Sequence, residues 1–479
     1  MTTLRSVAGT VLSLTTMRIG TAALTFLLFW MIARWSGNEA LGAYAVVMNV
    51  FLFVQQMPML GLHLALIRDV AANPQAMEEN RLAMTWIALA VALLLAAVIL
   101  LAVAPAYSPA LRMPIWLVAA AMLPTAITGV AESVMLGQQR MRLVAAVSIT
   151  EGLLRTVATV ALVLLDYGLS AWLAVFLCGR MLAAAAYALA GETAGLGLLR
   201  RFPKAALLRY LRMSPVFAGI LVAAAAYSRL DLFMLPHFVT LGEVGLYASA
   251  AKLYEVGLMI SSILVSALFP LFSNTWAENR QNFAELVKRV LRLMLGLGIP
   301  AAALISLAAE PIMLLLFGED YRAASVILAW LAPAALVMAG NQVLSAAMLA
   351  SGRQVNDLMC VAASAVVLLA ALALLASRAG IVGAAWAIMA AMSFQFAFRC
   401  LWFGRQAGGA LLRPLGPPFG AALAMSLTGL ALFSFGVLAA AAAGLAAYAM
   451  AGWLLGIVQR DELAYISWNA DRVARKSPQ

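Results

Sequence analysis

The chain has 479 residues, of which 65% are hydrophobic and 11% charged, with 31 Lys and Arg against 20 Asp and Glu. A mean hydropathy of +0.98 excludes an ordinary soluble protein. The formal net charge of +11 is spread over many short loops rather than one patch, which argues against a nucleic-acid partner. Apolar runs of roughly 20 residues recur along the whole length, each long enough to cross a hydrocarbon core of roughly 30 Å. In lipid the backbone satisfies its own hydrogen bonds, so helices or a closed barrel are the options. Long Ala- and Leu-rich runs favour helices, because barrel strands are short and alternate. The expected fold class is an all-α polytopic membrane protein.

In chain order the spans fall at 11–34, 42–66, 83–104, 114–136, 143–165, 169–190, 213–237, 243–270, 288–309, 324–349, 355–376, 380–403, 415–435 and 437–458, about fourteen in all. The last apolar stretch is nearly continuous, and its division near Gly436 could also be read as one span. Arg5 precedes the first run, with no small-residue cleavage site behind it, so an uncleaved first span is expected. With these spans, 22 of the 31 basic residues fall on the side of the N-terminus and four, Arg34, Arg112, Arg322 and Arg378, on the other. The positive-inside rule then places both termini in the cytoplasm. The longest loop, 191–212, alternates Leu and Phe with basic residues. It reads as a linker between two six-span halves, or as a helix lying on the membrane face.

The halves echo each other. Glu39-Ala-Leu-Gly42-Ala-Tyr44-Ala45 after the first span returns as Glu243-Val-Gly245-Leu-Tyr247-Ala248 after the seventh. Pro124…Leu136-Gly-Gln-Gln-Arg140 returns as Pro333…Leu349-Ala-Ser-Gly-Arg353. Six spans separate the copies, so they share orientation, as parallel repeats of a transporter do. The expected organisation is a lobe over 1–195, a cytoplasmic linker over 196–212, a second lobe over 213–405, and two extra helices with a tail over 406–479.

Five basic residues lie inside the spans: Arg18, Arg155, Arg180, Arg229 and Lys252. Intramembrane charge is costly and faces a cavity or a partner. Glu151 and Arg155 are four apart and Lys252 and Glu255 three apart, so each couple can pair on one helix face. Arg229 and Asp231 are two apart and point different ways on an unbroken helix. Arg18 and Arg180 have no acid within four residues, and Glu132 has room to snorkel from the inner end of its span. Guanidinium groups lining a cavity suit a phosphate or carboxylate ligand. Pro58 with Gly61, Pro124 with Gly129, Pro215 with Gly219 and Pro333 with Gly340 can kink their helices.

Enzyme chemistry finds little support. There is no P-loop, GxSxG or HExxH. Cys178, Cys360 and Cys400 form no CxxC, and His63 and His237 lack metal-ligand spacing. The outer loops are too short to gather the acids that a membrane glycan polymerase or ligase would show.

Several stretches carry a family resemblance. Ala33-Arg34-Trp-Ser-Gly37-Asn-Glu39-Ala-Leu-Gly42-Ala-Tyr44-Ala, followed by Gly61-Leu-His-Leu-Ala-Leu-Ile-Arg68, is similar to the opening of Wzx-type polysaccharide-export flippases. These belong to the multidrug/oligosaccharidyl-lipid/polysaccharide (MOP) exporter superfamily. Ser214-Pro215, Asp231, Gly242-Glu243-Val-Gly245-Leu-Tyr247-Ala-Ser-Ala-Ala-Lys252-Leu, Phe269-Pro270, Leu316-Phe317-Gly318-Glu-Asp-Tyr321 and Ala350-Ser-Gly352-Arg353 continue it in order.

The resemblance implies two six-helix lobes in a MATE-like V shape, plus two C-terminal helices, in a bacterial inner membrane. It implies flipping of an undecaprenyl-pyrophosphate-linked oligosaccharide to the periplasmic leaflet by alternating access, as part of O-antigen or exopolysaccharide synthesis. The cavity cations would be Arg18, Arg155, Arg180, Arg229 and Lys252. Asp231, Glu151 and Glu255 would sense a proton or sodium gradient, with no other cofactor. The implied partners are the bilayer, the lipid-linked cargo, a glycan polymerase and glycosyltransferases. A MATE-type cation antiporter is the alternative within transport, and a membrane-embedded glycan polymerase or ligase the alternative outside it.

Overall fold

A computed structural model describes residues 2–191, 202–404, 416–432 and 437–455; the side chains of residues 2–18 lie outside that description. Among the described residues all regular structure is helical and no strand occurs. The chain forms two compact units, Met1–Pro236 with Thr240–Gly245, and His237–Val239 with Leu246–Gln479.

The first unit comprises α1 (Thr2–Val54), α2 (His63–Ala72), α3 (Met77–Val98), α4 (Pro109–Gly137), α5 (Met141–Leu164), α6 (Leu169–Leu189) and α7 (Lys204–Met234). Helix α1 holds the first expected span, 11–34, and the start of the second, 42–66, which breaks after Val54 and resumes in α2. The loop expected at 35–41 shrinks to a break at Gly37, whose φ of 81° and ψ of 179° turn the chain within one residue. Behind α1, Pro58 opens a 3₁₀ turn over Met57–Met59, and Leu60 at φ 50° and Gly61 at φ 75° complete the reversal. Pro124, Pro215 and Pro333, expected as kinks, sit inside helices that run on past them.

Small residues line the packed faces. Ala119, Ala121, Ala126, Thr125 and Thr128 of α4 are buried, which lets neighbouring backbones approach. The outward faces carry Leu101, Trp116, Leu153 and Val157, the apolar surface that lipid requires. The basic segment Lys204–Arg212 forms the first turns of α7 and is anchored to α2 and α3. Arg209 Nη2 lies 3.1 Å from Asp69 and donates to Asn80 Oδ1 at 2.8 Å, and the Tyr210 hydroxyl donates to Asp69 Oδ2 at 3.0 Å. Burial and the Asp69 carboxylate push the Tyr210 phenol up to about 12.

The second unit continues with α8 (Leu241–Glu278), α9 (Arg280–Leu307), α10 (Ala309–Phe317), α11 (Ala324–Ala350), α12 (Gln354–Ala371), α13 (Ser377–Gly404), α14 (Gly416–Ala431) and α15 (Val437–Leu454). Helix α8 starts within the first unit and passes into the second at Leu246. The proposed division at Gly436 lies outside the described residues, but α14 and α15 flank it as separate helices packed on each other. By length and apolarity nine helical stretches among the described residues can cross a membrane. Two of them, Ile19–Ala72 of 54 residues and Gln354–Phe403 of 50, are long enough for two crossings each. Both are broken near the middle, the second at Gly380, where φ is 55°.

Both sequence echoes acquire a physical cause. Gly42 and Gly245, the echoed glycines, face each other. A Cβ on Gly42 would lie 1.8 Å from Leu241 O, and one on Gly245 would lie 1.8 Å from Asn38 O. Each repeat therefore needs glycine because the other repeat's backbone fills the place of a side chain. The second echo closes helices: Arg140 N–H donates to Met135 O and Arg353 N–H to Met348 O, both at 2.9 Å. This six-to-one closure needs a left-handed residue just before the arginine. Gly352 supplies it at φ 75° in one copy and Gln139 at φ 61° in the other.

Gly42→Ala and Gly245→Ala should each lower stability by about 1–3 kcal/mol or abolish folding, as overpacking does. Thermal unfolding of purified protein in detergent checks this, with Gly168→Ala, which meets nothing within 4 Å, as the neutral control. Unchanged melting in both tight-site variants would contradict the backbone packing.

Candidate functional site

Helices α4, α5 and α6 gather four of the charges that lie within the spans. On α5, Arg155 Nη1 lies 3.5 Å from Glu151 Oε1, the side chains being 18% and 10% exposed. The pairing expected from their spacing is thus present, though 3.5 Å is a charge contact rather than a formed hydrogen bond. Glu151 Oε1 and Arg155 Nε are accordingly buried without a hydrogen-bond partner among the described residues. Arg155 Cζ also stands 5.7 Å from the Phe176 ring centroid. Gly179 of α6 leaves room for Glu151, whose Oε1 would lie 3.1 Å from a Cβ there.

One turn away, Arg180 of α6 reaches across to α4. Its Nε donates to Thr125 Oγ1 at 3.2 Å and its Nη2 to Thr128 Oγ1 at 2.8 Å. Each hydroxyl donates onward to a backbone carbonyl, Thr125 to Ala121 O at 2.7 Å and Thr128 to Thr125 O at 3.0 Å. Their lone pairs are thereby aimed at the guanidinium. Arg180 forms no ion pair among the described residues, but it acts through space on Glu132. Glu132 does not snorkel: its Oε1 accepts from the buried Tyr187 hydroxyl at 3.4 Å. The cluster thus holds two arginines and two glutamates, all partly or wholly out of water. Its local charge is balanced, and among the described residues the hydrogen bonds of Arg180 go to the two threonine hydroxyls.

The remaining expected residues lie elsewhere. Arg18 is on α1, and its side chain is outside the described residues. Arg229 and Asp231 are half-buried on the unbroken α7, and each has interaction partners; the Arg229 carbonyl accepts from Asn49 Nδ2 at 3.1 Å. In the second unit Lys252 Nζ donates to Glu255 Oε2 at 2.9 Å, the expected i,i+3 pair.

The second unit also holds a network that sequence reading missed. Arg399, counted among the loop charges, is only 3% exposed. Its Nη2 is 2.7 Å from Asp357 Oδ1, and its Nη1 donates to Asn341 O at 3.0 Å and Oδ1 at 3.2 Å. Ser345 donates to the other Asp357 oxygen at 2.8 Å, and Asn341 Nδ2 to Met392 O at 3.0 Å. Helices α11, α12 and α13 are tied together at this point. Between α8, α9 and α11 of the same unit runs a groove of about 700 Å³, lined by apolar residues such as Leu253, Ile260, Leu264, Leu297, Ala301 and Ala335. Among the described residues no His, Cys, Asp and Glu group could hold a metal ion.

The chain is therefore a multi-pass helical membrane protein, and its fold is that of MOP-superfamily transporters. It is similar to the lipid II flippase MurJ in an inward closed conformation, with a TM-score of 0.72 at 12% identity, covering 92% of this chain and 98% of that one. An inward-facing MATE-family multidrug transporter gives a TM-score of 0.65 at 16% identity, over 82% and 96% of the two chains. A mutant of the Vibrio cholerae MATE transporter VcmN gives 0.53 at 16%, over 85% and 100%. By sequence the chain belongs to the polysaccharide biosynthesis protein family, whose model matches residues 13–326. A segment of 133 residues is 26% identical to a probable low-salt glycan biosynthesis flippase, Agl15, of Haloferax volcanii. That segment spans 28% of this chain and 27% of the relative.

Removing one partner of a buried ion pair leaves an uncompensated charge and costs about 3–5 kcal/mol. Arg399→Met should therefore lower the melting temperature sharply. Arg399→Met with Asp357→Leu should recover most of the loss. A single variant as stable as wild type would show that the network does not hold the helices.

Proposed function

We propose that the protein is a flippase that carries an undecaprenyl-pyrophosphate-linked oligosaccharide, an O-antigen or exopolysaccharide repeat unit, from the cytoplasmic to the periplasmic leaflet of a bacterial inner membrane. Family membership over residues 13–326 on a transporter fold supports transport of this class over enzyme chemistry. The observation that carries the anionic cargo is Arg180. It is held inside the helices of the first unit by two neutral hydroxyls and by no ion pair among the described residues. Neutral acceptors fix a guanidinium in place without spending its charge, so it keeps the capacity to hold a phosphate. The apolar groove of the second unit suits a polyprenyl chain, the other half of such an amphiphile.

The acids supply a route to coupling. Glu132 and Glu151 balance Arg180 and Arg155. Protonation of either glutamate leaves the cluster net positive and raises its affinity for an anion. Loss of that proton lowers it. Asp231 and Glu255 would serve the same end beside Arg229 and Lys252, and Arg18 would extend the cationic path along α1. The charge bias of the loops assigns both termini to the cytoplasm, and glycosyltransferases that make the cargo and a polymerase that extends it are the partners this reading implies. The balanced charge of the first-unit cluster keeps a MATE-type cation antiporter as the second reading, with Glu132 and Glu151 as its cation ligands.

Arg180→Gln separates the two. On the flippase reading it should lower surface glycan at least tenfold at unchanged protein abundance, and Arg180→Lys should retain part of the activity. Organic-cation resistance should not change. Normal glycan with Arg180→Gln, or loss of cation resistance instead, would overturn the assignment.

A further inference from the structure

Trp276, near the end of α8, carries two guanidinium groups. Arg280 Cζ lies 5.0 Å from the indole centroid and Arg353 Cζ 5.5 Å. Cations gather on an indole face because the ring's quadrupole attracts them. The platform is rigid. Trp276 packs edge-on to the buried Phe283 with ring centroids 5.1 Å apart, and both join the hydrophobic core of the second unit.

Each arginine is also placed by its backbone. Arg280 opens α9 directly after Asn279, whose side chain accepts from the amides of Gln281 and Asn282. Arg353 follows Gly352 in the six-to-one helix closure described above. Neither arginine forms an ion pair with a carboxylate among the described residues. The acid nearest in sequence to Arg353, Asp357, is taken up by Arg399 and Ser345, and Glu278, two residues before Arg280, has an interaction of its own. Partial burial and the neighbouring Arg280 charge hold Arg353 below the usual arginine range, so the two like charges feel each other.

Like charges brought together on one ring, without a carboxylate to offset them, are relieved by a multiply charged anion. Two guanidinium forks match phosphate oxygens, which they can hold in bidentate fashion. We propose that Arg280 and Arg353, mounted on Trp276, form a binding site for a phosphate-bearing anion at the arginine-rich end of the second unit. The site is separate from the intramembrane cations and does not depend on the flippase reading. A phospholipid headgroup and a soluble diphosphate share the chemistry that it recognises.

The test uses the purified full chain in neutral detergent, titrated with inorganic pyrophosphate at constant ionic strength. In a second arm, nanodiscs of phosphatidylcholine with or without phosphatidylglycerol are dissociated, and co-purifying lipid is read by native mass spectrometry. Saturable pyrophosphate binding identifies a diphosphate site. Selective retention of phosphatidylglycerol alone identifies a headgroup site. In either arm Arg280→Gln with Arg353→Gln should weaken binding at least tenfold. Arg322→Gln with Arg378→Gln, which removes the same charge at the arginine-poor end of the second unit, should leave it unchanged. Should the glutamine pair fail to fold, Arg353→Lys, which keeps the charge and loses the fork, should still weaken binding at least threefold. Absence of saturable binding in both arms, or equal binding by the arginine variants that fold, would overturn the site.

Discussion

An ionised side chain inside a hydrocarbon layer needs a partner, because no water is there to solvate it. Most of what is specific about this molecule follows from that constraint. Glu151 holds Arg155, Glu255 holds Lys252 and Asp357 holds Arg399. Arg180 departs from the pattern. Among the described residues its hydrogen bonds go to hydroxyls, and Glu132 interacts with it through space rather than as an ion pair. A residue kept where it is expensive, and held without neutralisation, is where cargo chemistry is most economically sought.

The two units solve the same problem differently. In the first, the buried polar groups are distributed over α4, α5 and α6, with two atoms of the Glu151–Arg155 pair lacking hydrogen-bond partners among the described residues. In the second, Arg399, Asp357, Asn341 and Ser345 form a connected network around one guanidinium. Asp357 Oδ1 and Arg399 Nε of that network likewise lack hydrogen-bond partners among the described residues, so the units differ in how many side-chain hydrogen bonds join their helices rather than in whether every buried atom is satisfied. The facing glycines and the six-to-one helix ends accompany both sequence echoes, while the buried charges of the two units are arranged differently.

Local features of this arrangement were legible before any coordinates. Hydropathy showed a multi-pass helical chain without fixing the number of crossings, and i,i+3 or i,i+4 spacing joined Lys252 to Glu255 and Glu151 to Arg155. Both echoes between the halves were visible, but not their cause, since no periodicity reveals that Gly42 and Gly245 occupy each other's side-chain space. The contacts between helices were hidden for the same reason. Arg180 meets Thr125 and Thr128 more than fifty residues away. Arg399 resembled a loop charge because it sits near a span end, and its partners lie on two other helices. Gly37 fell in the gap between two expected spans, whereas a single positive φ was enough to redirect the chain.

The central claim is that the intramembrane cations serve an anionic, lipid-linked cargo. Reconstitution tests it most directly: purified protein in proteoliposomes, with a fluorescent polyprenyl-diphosphate saccharide in one leaflet and a membrane-impermeant quencher outside. The account predicts protein-dependent exchange of the labelled lipid between leaflets, slowed by unlabelled polyprenyl diphosphate and indifferent to organic cations. Vesicles that move an organic cation but leave the labelled lipid in its original leaflet would contradict it.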